Sequence, residues 1–352
     1  MKQLERDLLE YAESMQCQEL HMNVDEETGL KMVIAIHNTI LGPALGGCRC
    51  IPYPSTTAAV IDAIRLAQCM AYKAAISNLP LGGGKAVLLR PKTISDRTAY
   101  FKAVGRFINQ LNGRYITAVD SGTTIQDMDV IATETRYVTT TSHGVFTVAD
   151  PSSLTAFGVL RGMQAAAKFK LGKDSLKGLH VAIQGLGHVG YSLAKLLYNE
   201  GARLTVFDID KNAVNHAVSE LKAASTSSLD AILKTECDIF APCAFGGLIN
   251  DKSIAMLRAP IVAGCANNQL EEPYHGEALA RRGILYAPDY VINAGGLIYV
   301  AAQYNHITED VTLHKIEGIY DTLMHIFDQS EIEKRTTSEV ADNLAKQYLQ
   351  KS

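Results

Sequence analysis

Gly185-Leu186-Gly187-His188-Val189-Gly190 follows the apolar run 179–184 without a break and leads into a helically spaced stretch through Leu193, Leu196 and Leu197. Glycines in this order between a strand and a helix suit a dinucleotide. The first permits a tight turn, the second lets the backbone approach a pyrophosphate, and the third lets helix pack on strand. The opening amides of the helix and its dipole attract phosphate oxygens. The next strand, 203–207, ends at Asp208, whose carboxylate can accept hydrogen bonds from ribose hydroxyls and repels a 2′-phosphate. NAD is thereby favoured over NADP, although Lys211 close by leaves NADP open.

A dinucleotide site calls for a second set of groups, and the first half of the chain offers Lys73, Lys85 and Asp120. Lys73 falls near the end of a helical pattern, Lys85 follows a turn-like Gly82-Gly83-Gly84, and Asp120 follows the apolar strand 115–119. A lysine desolvated near another cation loses proton affinity and can serve as a base, with a carboxylate to exchange protons. The spacing alone leaves open that both lysines are solvated surface residues, as most lysines are. The Gly82–Lys85 stretch is not a P-loop, because Ala86 stands where a hydroxyl would hold magnesium and Leu79 where the first glycine belongs.

The elements around these residues read as α/β. A helix is expected over 4–16, a hairpin over 19–37 and a helix from Thr56 or Thr57. The segment 42–47, rich in Gly and Pro, reads as irregular. A second helix is expected from about Ser95, and a long one over 152–170. Strands then alternate with helices at 180–184, 203–207, 239–241, 261–263 and 284–287, the pattern of a parallel, doubly wound sheet. Helical spacing resumes from about 308. The expected units are a substrate-binding and oligomerisation domain over 1–145, a Rossmann-type domain over 146–325 and a C-terminal helix over 326–352 packing back on the first domain, with a cleft between the two domains.

Composition narrows the classes further. Hydrophobic residues at 47% and charged residues at 20% exclude disorder, and a net charge of −4 gives no general attraction to nucleic acid or anionic lipid. Seven scattered cysteines suit a reducing compartment, and Cys48-Arg49-Cys50 lacks zinc spacing. No metal site is expected. The N-terminus lacks a signal-peptide core and no apolar run is long enough to span a membrane, so a cytoplasmic location is expected.

Several blocks in register resemble the Glu/Leu/Phe/Val dehydrogenases, and within them the leucine dehydrogenase branch. They are Gly42-Pro43-Ala44-Leu45-Gly46-Gly47, Tyr72-Lys73-Ala74-Ala75, Leu81-Gly82-Gly83-Gly84-Lys85-Ala86, Asp127-Met128-Asp129, the run from Cys237 to Ala244, Ala266-Asn267-Asn268-Gln269-Leu270 and the run from Ala287 to Gly296. The resemblance runs from about residue 19 to 305. It implies metal-free, NAD-dependent oxidative deamination of an amino acid to a 2-oxo acid and ammonia. Lys73 would hold the substrate carboxylate, Lys85 would be the base on the attacking water, and Asp120 would hold the amino group and relay protons. Gly46 and Gly47 would let the backbone approach the substrate, and Thr155 would orient the nicotinamide amide. Ala241 and Asn267 would line the cofactor and substrate site. Family members are homo-oligomers, in leucine dehydrogenases often octamers.

The family's side-chain pocket maps to Leu45, Ala118, Leu297 and Val300, all apolar, though any one of them could simply fill a core. Burying a glutamate side chain there unpaired would cost several kcal/mol. Leu, Ile and Val differ by about 1–3 kcal/mol of pocket contact, so one enzyme should accept all three. An aromatic-preferring dehydrogenase is the alternative within the family, and a non-catalytic NAD-binding sensor the alternative outside it. The sensor reading comes from a departure: leucine dehydrogenases usually have Glu-Asp-Val-Gly where this chain has Val119-Asp120-Ser121-Gly122. Cys48 and Cys50 likewise replace the usual Thr and Met.

Overall fold

The computed structural model describes residues 7–143 and 151–350. The expected boundary at 145/146 and the first residues of the expected N-terminal helix lie outside the described residues. The chain divides into two compact units, Met1–Ala149 with Val300–Thr308 and Ala345–Ser352, and Asp150–Tyr299 with Glu309–Leu344.

The first unit runs α1 (Leu8–Ser14), β1 (Glu19–Asp25), β2 (Leu30–Asn38), β3 (Ala44–Ile51), α2 (Thr56–Ile76), β4 (Gly82–Leu89), α3 (Arg97–Gln110), β5 (Tyr115–Val119) and α4 (Ile125–Ala132). Its sheet has the order β1-β2-β4-β3-β5. β2 is antiparallel to β1 and β4, while β3 runs parallel to β4 and β5. Successive side chains alternate between the faces. Ile34, Cys48, Cys50, Ala86, Leu88 and Tyr115 pack with α3 and α4 on one face. Val33, Ala35 and Val87 pack with α1 and α2 on the other.

Two glycine-rich segments differ from their sequence reading. Gly42–Gly47 was expected to be irregular, but β3 starts at Ala44 and is a central strand. The expected turn Gly82-Gly83-Gly84 is the start of β4, so Lys85 sits inside a strand rather than at a loop. Close approach explains both. A Cβ on Gly46 would overlap the Gly84 carbonyl, one on Gly83 would overlap the α2 backbone at Ala71, and one on Gly84 would meet the Tyr115 ring. Glycine in a strand marks such approaches as readily as it marks turns.

The second unit runs α5 (Pro151–Leu171), β6 (His180–Gln184), α6 (His188–Asn199), β7 (Arg203–Phe207), α7 (Lys211–Leu221), β8 (Ala224–Ser225), α8 (Leu229–Leu233), β9 (Ile239–Pro242), α9 (Asp251–Met256), β10 (Ile261–Val262), α10 (His275–Arg281), β11 (Leu285–Tyr286), α11 (Asp289–Ile292), α12 (Gly295–Tyr304), α13 (Glu309–Glu317), α14 (Ile319–Glu333) and α15 (Thr337–Gln350). The division between units falls within α12 and α15, so residues 326–344 group with this unit and 345–352 with the first. The sheet order is β11-β10-β9-β6-β7-β8, all parallel. Numbered within the sheet this is 3-2-1-4-5-6, the doubly wound order whose direction reverses between β6 and β9. β8, two exposed edge residues, Ala224 and Ser225, lacks the apolar run by which the equally short β10 was read from sequence.

The Gly83 approach yields a test. Gly83→Ala must push α2 off β4 and is expected to lower stability by about 1–3 kcal/mol, the usual range for overpacking. Thermal and urea denaturation would check it, and an unchanged melting temperature would contradict the packing described.

Candidate active site

Lys85 is the fourth residue of β4 and only 5% exposed. The alternation that sends Ala86 and Leu88 towards α3 sends Lys85 to the α2 face, with Leu45, Gly47 and Arg49 of β3 and Ala118 of β5. Its Nζ donates to Asp120 Oδ2. Burial pulls the Lys85 ammonium down to about 7, Arg49 and Lys73 add like-charge repulsion, and Asp62 and Cys48 act against them. A lysine in this state can give or take a proton near neutrality. Lys73, half-buried in the last turn of α2, supplies a second positive charge on this face.

Asp120 follows β5 on a loop with defined supports. Its carboxylate Oδ1 accepts from Ser121 N at 2.5 Å, and its own N–H donates to Thr123 Oγ1 at 2.9 Å. Thr123 Oγ1 lies 2.9 Å from the Cys48 carbonyl, and Cys50 N donates to the Ser121 carbonyl at 2.9 Å, tying the loop to β3. Gly122 has φ +84°, and a Cβ there would overlap the Cys50 carbonyl. Beyond it Thr124 and Asp127 form a capping box on α4, and Arg97 holds both Asp127 oxygens at 2.7 Å. A Cβ on Gly47 would come 2.5 Å from Asp120 Oδ2, so that glycine makes room for the carboxylate.

The other expected substrate residues fall as follows. Leu45, Ala118, Leu297 and Val300 are all buried. Leu45 and Ala118 share the Lys85 face, Leu297 lies on α12 in the second unit, and Val300 groups with the first. The smallness of Gly46 is used by the sheet itself, where its carbonyl accepts from the Tyr115 hydroxyl at 2.6 Å. Val119 packs against the core on the α3 and α4 side of the sheet, away from Lys85. Cys48 and Cys50 are buried in the same core, where burial pushes both thiols up.

In the second unit the glycine turn joins β6 to α6. Gly185 has φ +103°, and a Cβ there would meet the backbone at Cys243 and Ala244. One on Gly190 would overlap the Gly185 carbonyl. Gly187 differs, since a Cβ there would meet nothing within 4 Å. It is the N-cap of α6 and offers no side-chain cap; Gly187 and His188 are exposed and Val189 is half-buried. Asp208 Oδ2 accepts from Leu186 N at 2.6 Å, and Oδ1 accepts from Asp210 N at 2.8 Å, so the carboxylate braces the loop and retains lone pairs for a ribose. Thr155 is half-buried on α5, its Oγ1 donating to the Pro151 carbonyl at 2.9 Å. Asn267 is exposed and accepts from Asn293 Nδ2 at 2.8 Å. Ala241 is fully buried within β9; beyond that strand Cys243 is half-buried, and Ala244, Phe245 and Gly246 are exposed.

Sequence reasoning missed Arg49 and Asp62. Arg49 Nη1 lies 3.0 Å from Asp62 Oδ2, and Arg49 Nε lies 3.7 Å from Asp120 Oδ1. Tyr53 donates to Asp62 Oδ2 at 2.5 Å. The signal was present in the alternation of β3, but reading 42–47 as irregular hid it. Among the described residues no group of three His, Cys, Asp or Glu is placed to hold a metal ion, and no helix is long and apolar enough to cross a membrane.

Comparison with known proteins adds a separate line of observation. Residues 14–137 match the model of the Glu/Leu/Phe/Val dehydrogenase dimerisation domain, and residues 147–343 match that of the Glutamate/Leucine/Phenylalanine/Valine dehydrogenases. A leucine dehydrogenase of Thermoactinomyces intermedius is 48% identical, covering 97% of this chain and 93% of the relative. A phenylalanine dehydrogenase of Bacillus thermotolerans is 42% identical, covering 92% and 86%. The crystal structure of L-tryptophan dehydrogenase from Nostoc punctiforme superposes with a TM-score of 0.86 at 38% identity, covering 98% of this chain and 99% of that one.

The Asp120 loop depends on the cap beyond it. Asp127→Ala removes the bidentate partner of Arg97 and half of the capping box, and is expected to cost about 2–4 kcal/mol. Thr124→Val, which removes the cap alone, should cost about 1 kcal/mol. Denaturation curves for both variants would check the order, and equal losses would contradict it.

Proposed function

The chain belongs to the Glu/Leu/Phe/Val dehydrogenase family and is an amino acid dehydrogenase, and from that premise we propose that it catalyses the NAD-dependent, reversible oxidative deamination of branched-chain L-amino acids, leucine foremost. The observation that carries this reading is the pairing of buried Lys85 with half-buried Asp120 beside Lys73, on a sheet face whose neighbours Leu45 and Ala118 are apolar. Identity to leucine dehydrogenases at 48%, against 42% to a phenylalanine dehydrogenase, supports the aliphatic choice.

The open Gly187, the uncapped α6 terminus and the Asp208 carboxylate at the end of β7 fit a dinucleotide with a free ribose 2′-hydroxyl, which favours NAD. NAD supplies the acceptor for the hydride leaving the substrate Cα. Lys73 holds the substrate carboxylate by a charge-assisted hydrogen bond. Neutral Lys85 takes a proton from the water that adds to the iminium carbon and passes it across their hydrogen bond to Asp120, which hands it to the amine; Lys85, neutral again, takes the hydroxyl proton as the carbonyl forms and ammonia leaves. Apolar walls leave the carboxylate of a glutamate side chain without a partner, which disfavours that substrate. The protein works as a homo-oligomer, an octamer as in many leucine dehydrogenases, built through the first unit, where β1 is an edge strand with Met22 and Val24 exposed. Its seven cysteines are free thiols, which suits the cytoplasm.

Formation of reduced nicotinamide with L-Leu, L-Ile, L-Val, L-Phe and L-Glu tests the reading directly. The three aliphatic substrates are expected to lead, Lys85→Ala to lose about 10²–10⁴-fold in kcat, and a preference for Phe would overturn the substrate assignment. Deamination needs Lys85 neutral, so kcat/KM should fall tenfold per unit below about pH 7 and level off above it, while amination, which needs the ammonium, should decline above that point. Gly187→Ala should weaken NADH binding, read by its fluorescence, without lowering the melting temperature, since the added methyl meets no protein atom.

A further inference from the structure

Arg49 stands between two carboxylates on different elements. Its Nη1 is 3.0 Å from Asp62 Oδ2 on α2, and its Nε is 3.7 Å from Asp120 Oδ1 on the loop after β5. That Nε is buried and makes no hydrogen bond among the described residues, so its pull on Asp120 is purely electrostatic at this separation. Tyr53 donates to the same Asp62 oxygen at 2.5 Å and fixes the far end of the pair. The planar fork of a guanidinium can direct two N–H groups at two carboxylates, which an ammonium on a flexible stem does poorly.

We propose that Arg49, anchored by Asp62 and Tyr53, is a positioning residue that orients Asp120 and sets the acid–base balance of the Lys85–Asp120 pair. The inference rests on the reading of Lys85 as the base of the proposed reaction. Every element packed around Lys85 contributes to the balance. β3 brings Arg49 and Cys48, α2 brings Asp62 and Lys73, and the loop after β5 brings Asp120. β2, paired with β4 through Ala35 opposite Lys85, brings His37, whose titration burial pushes down to about 4 and which is therefore neutral near pH 7. Cys48 is held neutral by burial. Of the charged groups, Lys73 is assigned to the substrate carboxylate and Asp120 to proton exchange, which leaves Arg49 and Asp62 as an opposed couple with no other task. Arg49 disfavours the ammonium and Asp62 favours it. The position of the couple fixes how far the two cancel at Lys85.

The test compares Arg49→Gln, Arg49→Lys and Asp62→Asn with the parent enzyme. Two readouts are used: the pH dependence of kcat/KM for deamination, and the pH dependence of Lys85 acetylation by trace acetic anhydride, quantified by peptide mass spectrometry. The second reads the amine without turnover. Arg49→Gln is expected to move the Lys85 midpoint up by about one unit or more, and Asp62→Asn to move it down. Arg49→Lys, which keeps the charge and loses the fork, should hold the midpoint within a few tenths of a unit and lower kcat about tenfold. Should Arg49→Gln fail to fold, the Asp62→Asn and Arg49→Lys results decide. Labelling midpoints that stay put, or that move the same way in Arg49→Gln and Asp62→Asn, overturn the proposal. A parent enzyme whose labelling midpoint responds as expected while its kcat/KM shows no matching limb overturns the role of Lys85 as base and leaves the role of Arg49 in its protonation standing.

Discussion

The contact between the buried Lys85 ammonium and the half-buried Asp120 carboxylate governs the architecture around it. A charge this deeply desolvated survives only with a partner, and the partner must come from a different strand end. Bringing Asp120 over β3 requires a residue without a side chain at position 47. Holding it there requires a left-handed Gly122, the Thr123 hydroxyl and a firm α4 terminus. Seating Lys85 within β4 requires the strand to lie close under α2, which Gly83 permits. Gly47 and Gly83 therefore follow from an ion pair on a tightly layered sheet, and the loop after β5 is a support for one carboxylate.

The second unit uses glycine differently at three positions of one motif. Gly185 and Gly190 are demanded by the protein's own backbone, at the place where the strand order reverses. Gly187 is not, and it stands exposed with open space around it at a helix start that no side chain caps. That contrast separates the residues that make the turn from the one left open for a ligand. Asp208 combines both tasks, because a carboxylate has enough lone pairs to brace Leu186 and Asp210 and still meet a ribose.

The departures from the leucine dehydrogenase pattern take on a definite meaning once their faces are known. Val119 replaces an acidic residue on the side of β5 that packs against α3 and α4, so the loss removes no charge from the Lys85 face. Cys48 and Cys50 lie in the same core and alternate with Arg49, which turns to the opposite face. The motivation for a non-catalytic sensor rested on position 119, and the packing of Val119 removes it.

Periodicity and motif spacing determined much of this protein directly. The strands β6 and β7, the glycine fingerprint with its closing Asp208 and the long helices came from local patterns, because each is encoded by neighbours in the chain, whereas Lys73, Lys85 and Asp120 were singled out by spacing and given roles only by the resemblance to the family. The apolar run 86–89 read as a strand as well, but the strand character of 44–51 and of 82–85 did not. Glycine carries no side chain from which to read a face, so only the approach of Ala71, Gly84 and Tyr115 reveals why those residues are extended. The face of Arg49 was readable from the alternation of β3, but its couple with Asp62 lay beyond reach for a related reason. Their significance is a distance to Asp120 and Lys85, and distances between residues far apart in sequence exist only after β3, β4 and β5 have aligned and α2 has settled on them.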